Sequence, residues 1–169
     1  MKIIIPGNPI PKHRPRFSKH RVYNDQKDIM VRRSFLVKEQ WKDKPMLNGP
    51  VSIVTTFFMP IPESLSKKKQ VALNGKYHIK KVDLDNLEKA FFDVIVMSGV
   101  IIKDDCQIAY SESNKIYSDN PRTEATITEL EQPTPASPTT YTPATLIKPR
   151  KGDAYTGSGG YVNLYFTKK

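Results

Sequence analysis

Two pairs of aspartates stand out in a chain that is otherwise strongly basic. The formal net charge is +10, yet Asp83 and Asp85 lie two residues apart in "KKVDLDNLEKAFFDVI", and Asp104 and Asp105 follow about twenty residues later. Lys89 comes about one helical turn after Asp85. Carboxylates that pack together repel one another unless a cation joins them, and oxygen-only ligands suit Mg²⁺ or Mn²⁺. These aspartates therefore predict a divalent-metal site, provided that the fold brings them together.

A plainer interpretation of Asp85 is a helix cap. Asp85 and Glu88 have the spacing of a capping box, with Asp in the place usually taken by Ser or Thr, and Lys89 and Asp93 have the spacing of a helix-surface ion pair. A calcium-binding loop is excluded because "DLDNLE" lacks the third acidic ligand and the glycine at its sixth position. Capping leaves the other three aspartates unexplained, so the metal and structural interpretations both stay open.

The predicted lengths of the helix after Asp85 and of the segment that follows it would allow the two aspartate pairs to meet. The pattern predicts a helix from Asp85 that Gly99 ends, and its apolar face carries Leu87, Ala90, Phe91, Val94, Ile95 and Ser98. This helix is about 20 Å long, and an extended segment from Gly99 to Asp105 spans about 23 Å. If the segment runs back along the helix, its aspartates reach the helix start. In a basic protein, a magnesium site there indicates metal-assisted phosphodiester cleavage.

The remaining elements predict one compact α+β domain over residues 1–130, with a small mixed sheet and two main helices. Strands are predicted at "KIIIPG", at Pro50 to Pro60 and, joined by the hairpin turn "SDNPR", at Gln107 to Tyr117 and Arg122 to Leu130; helices are predicted at Asp25 to Lys44 and Ser66 to Leu73. Residues 131–169 are rich in Pro, Thr and Gly and aperiodic. They are predicted to be a disordered tail, because they have too little apolar surface to offset the entropy of ordering.

Composition narrows the possible partners and compartments. No run of about 18 apolar residues is present, so no membrane span is expected. The single cysteine, Cys106, excludes an internal disulfide and suits a reducing cytoplasm. Three scattered histidines and one cysteine argue against a zinc site. The excess of positive charge favours a polyanion as partner, either nucleic acid or an anionic membrane surface.

The motifs around the aspartates also resemble a known family, the RusA-type Holliday junction resolvases. "DLDNLEKAFFDVI", then Gly99, then "KDDCQI" is similar to the family's acidic core. "IPGNPIPKHRPRF" and "SLSKKK…HIKKVDLDN" are similar to phage and prophage members. The resemblance covers residues 2 to about 130 and excludes the tail. The spacing from Gly99 to the second pair is one residue longer than in one member of the family, which leaves the choice between Asp104 and Asp105 open.

The resemblance implies a Mg²⁺-dependent endonuclease, with Mn²⁺ as a substitute, that acts on four-way DNA junctions as a homodimer. A two-fold symmetric dimer would place two matching active sites on a two-fold symmetric junction. The metal-binding and catalytic residues that it implies are Asp83, Asp85 and Asp105, with Asp104 beside them, and the essential lysine Lys89. Lys89 would neutralise charge that develops on the phosphate oxygens, or pair with Asp93 or Asp85 and so orient the carboxylates, and the two roles are compatible.

Three groups of basic residues are candidate DNA contacts. They are Lys12, Arg14, Arg16, Lys19 and Arg21 in a proline-stiffened arm, then Lys67, Lys68 and Lys69, then Lys80 and Lys81 directly before the acids. Two other functions fit the same residues. One is a non-catalytic DNA-binding module, in which the acids are caps and ion pairs. The other is a nuclease for flaps or other branched DNA.

Overall fold

The computed structural model describes residues 1–13, 16–18, 21–23 and 26–131. For residues 16–18 and 21–23 it describes the backbone alone. The predicted tail after residue 131 and the arm residues Arg14 and Lys19 lie outside the described residues. The elements in chain order are β1 (Lys2–Pro6), β2 (Arg16–Ser18), β3 (Arg21–Tyr23), α1 (Lys27–Trp41), β4 (Val51–Pro60), α2 (Lys67–Leu73), α3 (Leu84–Ser98), a 3-10 turn (Asp105–Gln107), β5 (Ile108–Ser118) and β6 (Arg122–Glu129).

Four strands form a mixed sheet in the order β1–β6–β4–β5. Strand β6 is antiparallel to both β1 and β4, whereas β5 is parallel to β4. A parallel pair needs a crossover connection of a dozen or more residues, and α2 and α3 lie within that connection. Strands β2 and β3 pair separately as a short ribbon. The prediction of an α+β fold with a small mixed sheet and two main helices is confirmed, and α2 is a third, shorter helix.

The hydrophobic core lies between the sheet and the two long helices. Side chains alternate along a strand, so Ile3 and Ile5 of β1 and Ala125 and Ile127 of β6 are buried. Helix α1 buries Met30, Ser34, Val37 and Trp41, and α3 buries Leu87, Ala90, Phe91, Val94, Ile95 and Ser98, the face that the sequence predicts. The apolar side chains of these elements form one cluster. This packing fixes α3 against the sheet while Asp85 remains exposed.

The helices end close to the predicted residues. Helix α1 ends at Trp41, shortly before Pro45, and α2 follows Ser66 and ends just before Gly75. Helix α3 ends at Gly99, whose φ of 66° lies in the left-handed region that favours glycine. Within the described residues, no helix has the length and apolar character needed to cross a bilayer.

The predicted hairpin between β5 and β6 is wrong, because β4 lies between these strands. The link from Ser118 to Arg122 therefore crosses two strand spacings, about 9–10 Å. The Arg122 guanidinium lies 3.6 Å from the centre of the Phe58 ring on β4, and Arg122 Nη1 donates to the Asn120 carbonyl at 2.9 Å. The turn residues that favour a tight hairpin also suit this wider link, so the local sequence did not distinguish the two.

Candidate active site

The first aspartate pair lies at the start of α3. The helix begins at Leu84, so Asp83 occupies the N-cap position with an extended backbone, and Asp85 is the second helical residue. The capping interpretation of Asp85 is therefore wrong, because the cap position is Asp83, two residues before Asp85. Asp83 makes no side-chain cap hydrogen bond, so its carboxylate is not engaged by the helix backbone.

Both carboxylates of this pair are exposed, and each has a neighbour on α3. Asn86 Nδ2 donates to Asp83 Oδ2 over a long 3.4 Å. Lys89 Nζ donates to Asp85 Oδ2 at 2.9 Å, and this hydrogen bond lowers the pKa of Asp85. Asp85 therefore stays ionised at neutral and mildly acidic pH. The site combines two exposed negative charges with one ammonium group.

Of the two ion pairs predicted for Lys89, the structure has the pair with Asp85 and not the pair with Asp93. Lys89 pairs with Asp85, one turn before it, whereas Asp93 Oδ2 is 2.7 Å from Lys12 Nζ. Lys89 lies four residues after Asp85 and four residues before Asp93, so the sequence allows an ion pair with either aspartate. Here the N-terminal segment supplies the cation for Asp93 and leaves Lys89 beside the first aspartate pair.

The N-terminal segment lies along α3. The Lys12 N–H donates to the Asn86 carbonyl at 2.8 Å, and the Lys12 side chain reaches Asp93 about two turns further along the helix. The buried Gln26 side chain donates to the Pro11 carbonyl and accepts from the His13 N–H, both at 2.8 Å. These bonds hold the start of the basic arm against the helix that carries the aspartates.

Strand β5 holds the segment that leads into Asp83. The His78 N–H donates to the Lys115 carbonyl and the Tyr117 N–H donates to the Lys76 carbonyl, both at 2.8 Å. Lys115 Nζ donates to the Val82 carbonyl, directly before Asp83. Sequence reasoning missed Lys115, because it lies 33 residues from Val82 and no local pattern links them.

The second aspartate pair has a different local role for each member. Asp104 is the N-cap of the 3-10 turn, and its Oδ1 accepts the Cys106 N–H at 2.9 Å. That hydrogen bond lowers the pKa of Asp104, and the adjacent carboxylate raises the pKa of the Cys106 thiol. Asp105 is exposed and is not the capping residue of this turn. Of the two, Asp105 has the carboxylate that is not engaged in capping.

The predicted extended path from Gly99 to Asp105 is also wrong. Residues 99–101 and 103 form turns and bends rather than a strand. Ile101 and Ile102 are fully buried, and the Leu47 N–H donates to the Ile101 carbonyl at 2.8 Å. Because these two isoleucines pack into the hydrophobic core, the segment follows a bent path and not the extended path that the sequence predicts.

The two aspartate pairs are consequently separate in this structure. Asp104 and Asp105 line a cavity of about 440 Å³ together with Asp93 and Met97 from the second half of α3. Asp93 follows Asp85 by eight residues, which is about 12 Å along a helix. Among the described residues, no group of three or more His, Cys, Asp and Glu side chains is placed to hold a metal ion. The predicted meeting of both pairs is not seen.

For the basic residues that are candidate DNA contacts, the structure describes some side chains and, in the β2–β3 ribbon, only the backbone. Exposed side chains belong to Lys67, Lys68 and Lys69, which form the first turn of α2, and to Lys80 and Lys81 before the aspartates. Arg16 and Arg21 lie in the β2–β3 ribbon, for which the backbone alone is described. Two of the three predicted basic groups therefore present free cationic surface near the approach to α3.

Comparison of the sequence with known proteins gives a match to one family. The family model described as "Endodeoxyribonuclease RusA" matches residues 6–128, a range that contains α3 and all four aspartates. The uncharacterized protein YqaN of Bacillus subtilis (strain 168) is 32% identical over 139 residues, which are 77% of this chain and 96% of that protein. The chain therefore belongs to the RusA family of endodeoxyribonucleases.

Proposed function

We propose that this protein is a Mg²⁺-dependent endonuclease that resolves four-way DNA junctions by paired nicks, with Mn²⁺ as a substitute metal. The observation that carries the proposal is the exposed pair Asp83 and Asp85, with Lys89 hydrogen-bonded to Asp85, at the start of a helix inside the family match. Such an activity would serve recombination, repair or phage DNA processing in the cytoplasm.

The donor set at the start of α3 suits magnesium. Mg²⁺ commonly keeps several waters and binds one or two carboxylates together with substrate phosphates, rather than a complete protein cage. Asp83 and Asp85 offer two exposed carboxylates, and neither is used for capping. When bound there, the ion would activate water and polarise the scissile phosphate. Following the family resemblance, we add Asp105 as the third acid, because Asp104 is already engaged by the Cys106 N–H.

Lys89 and the helix start would stabilise negative charge. The first-turn N–H groups of a helix lack internal partners and carry partial positive charge, which favours an anion. Lys89 is held one turn into α3 by Asp85 at 2.9 Å. A phosphate at the helix start would therefore meet N–H dipoles and one ammonium group, which favours the more negative transition state. Its pairing with Asp85 also orients that carboxylate.

The surrounding lysines would bind the DNA backbone. Lys80 and Lys81 lie within three residues of Asp83, and the α2 lysines Lys67, Lys68 and Lys69 precede this approach. Each cation that neutralises a phosphate releases counterions, so affinity should fall as salt increases. Such contacts carry little base specificity and instead hold the strand in register for cleavage.

A cleavage assay on matched DNA substrates tests the proposal. We expect the purified chain to nick a four-way junction at two symmetric positions as Mg²⁺ is titrated in, and to leave plain duplex uncut, because a duplex has no branch. A 5′-flap substrate at the same concentration is the control for branch type. Binding without nicking at any Mg²⁺ or Mn²⁺ concentration would support the non-catalytic module. Faster cleavage of the flap would support the alternative nuclease.

An apolar surface of α1 and α3 supports the homodimer. Val31 and Phe35 lie one turn apart on α1; Phe35 is 61% exposed, and Val31 and Met97 of α3 are each about half exposed. Together they line a hollow of about 220 Å³. Exposed apolar patches of this kind mark interaction sites. In an isologous dimer the same patch serves both protomers, so we propose that this surface pairs with itself.

Replacing Phe35 with glutamate should dissociate the dimer. We expect light scattering to give a dimer mass for the wild-type chain and a mass near 19.3 kDa for Phe35→Glu, because an unpaired carboxylate in an apolar interface is strongly unfavourable. The matched control is Val71→Glu, since Val71 is an exposed apolar side chain of α2 outside this surface. Dissociation by both variants, or by neither, would reject the α1–α3 surface as the interface.

A further inference from the structure

Two large apolar side chains are exposed on the approach to α3. Tyr77 is 76% exposed and Ile79 is 86% exposed, and the lysines Lys76, Lys80 and Lys81 flank them in sequence. Hydration of apolar surface is unfavourable, and an exposed apolar patch rimmed by charge indicates a binding surface. Neither side chain belongs to the proposed catalytic site.

The backbone holds both side chains outward. Tyr77 forms an isolated antiparallel bridge with Ile116 at the edge of β5. Successive side chains of an extended segment point to opposite sides. His78 is therefore buried, with its ring centre 4.6 Å from that of Tyr117, while Tyr77 and Ile79 face solvent. Their exposure follows from strand pairing and burial of the residue between them.

Tyr77 and Ile79 also line a cleft of about 450 Å³. Its other apolar side chains are Pro62, Leu65, Leu73 and Tyr117, and its cations are Lys76 and Lys80. A flat aromatic group attached to a phosphate chain suits this combination, because proteins bind unpaired bases by stacking them on aromatic rings while cations follow the backbone. A purely apolar partner would leave the two ammonium groups without counter-charge.

The cleft adjoins the proposed cutting site. Lys80 precedes Asp83 by three residues, so at most about 11 Å of chain separates the cleft lining from the first acid. Lys115 holds the intervening Val82 carbonyl to β5, which limits movement between the two. The α2 lysines begin the same helix whose Leu73 lines the cleft. One DNA strand could therefore contact both sites.

We infer that this cleft receives one unstacked nucleobase of the branched DNA substrate, stacked on Tyr77, with the flanking phosphates on Lys76 and Lys80. The assignment rests on the proposed function and adds to it the recognition of unpaired bases beside the cut. Bases that are already unpaired cost least to unstack, so a junction centre or a single strand should fill the cleft and an intact duplex should not.

Fluorescence of 2-aminopurine tests the cleft directly. The base is placed at the junction centre and, separately, within a single-stranded oligonucleotide, and both are titrated without metal so that no cleavage occurs. We expect wild-type protein to quench the probe in both DNAs. Tyr77→Ala should lose the quenching and bind both DNAs about tenfold more weakly, whereas duplex binding should not change. Tyr77→Phe keeps the ring and should behave as wild type, and Val71→Ala controls for loss of an exposed apolar side chain.

The outcomes separate this inference from the proposed function. Tyr77-dependent quenching of the single strand by a protein that never nicks a junction would support the base cleft and reject the nuclease. Normal junction cleavage with unchanged affinity and quenching in Tyr77→Ala would reject the cleft alone. A change in mass of DNA-free Tyr77→Ala by light scattering would show that a second copy fills the cleft, which also overturns the inference.

Discussion

Asp85→Asn should lose junction cleavage by at least about 100-fold at saturating Mg²⁺, while the protein remains folded. The substitution removes one of the three charges proposed to hold the metal, and loss of metal-assisted charge stabilisation costs several powers of ten in rate. Asp85 lies at the second helical position rather than at the cap, so the change removes only an exposed ion pair with Lys89. The measurement is nicking under single-turnover conditions beside the thermal unfolding transition.

A matched control exists on α1. Asp28 occupies the first turn of that helix, as Asp85 does in α3, and it is exposed. Asp28→Asn makes the same chemical change at an equivalent helical position and should leave cleavage unchanged. Junction binding by Asp85→Asn without metal should hold or tighten, because a negative charge facing phosphate has been removed. Wild-type nicking by Asp85→Asn would reject the site at the start of α3.

Asp105→Asn should also lose cleavage by about 100-fold or more, whereas Asp104→Asn should stay within about twofold of wild type. Asp104 caps the 3-10 turn through the Cys106 N–H, and asparagine caps about as well as aspartate, so that variant keeps the local structure. Asp105 has an exposed carboxylate that this turn does not use. The two variants differ at adjacent residues and are each other's control.

The affinity of the Asp105→Asn variant for Mg²⁺ shows whether Asp105 acts as a metal ligand. Mg²⁺ titrated against the protein with uncleavable junction should bind more weakly to Asp105→Asn if its carboxylate joins Asp83 and Asp85 on the ion. That result would require the two acid pairs to come together on DNA, since they are separate in the structure. Full activity in Asp105→Asn would remove the second pair from the catalytic residues. Loss of activity in Asp104→Asn alone would show that Asp104, and not Asp105, is the residue needed for cleavage.

The features that the sequence predicts correctly are those that depend on local pattern: the spacing of apolar residues along a helix and the residues that end it. The buried face of α3 is correct residue by residue, because apolar side chains at helical spacing admit one orientation toward the core. Gly99 is correct as the helix end, because few other residues adopt its positive φ. The pair at the start of α3 could be proposed for a simpler reason, since two residues along the chain keep the Cα atoms of Asp83 and Asp85 within about 7 Å of each other.

Apart from the cap position of α3, the errors concern contacts between distant parts of the chain. The turn at Ser118 to Arg122 has hairpin residues, but its geometry depends on β4 lying between the two strands. The path from Gly99 depends on Ile101 and Ile102, which long-range packing buries. Lys12 at Asp93 and Lys115 at Val82 are equally invisible in a local window. Strand order and side-chain partners require the assembled core, which local pattern does not specify.

The strand order has a consequence for how the protein is made. Strand β6 lies between β1 and β4, and the amino-terminal nitrogen of Met1 bonds to the Ile127 carbonyl. Strand β1 therefore cannot pair until β6, the last strand of the sheet, is present. Contacts between residues so far apart in sequence slow folding. During synthesis the sheet cannot close until residue 129 has left the ribosome. The hydrophobic core that α3 shares with β1 and β6 is complete only then, so a partly made chain lacks the finished core beneath the helix that carries the acids.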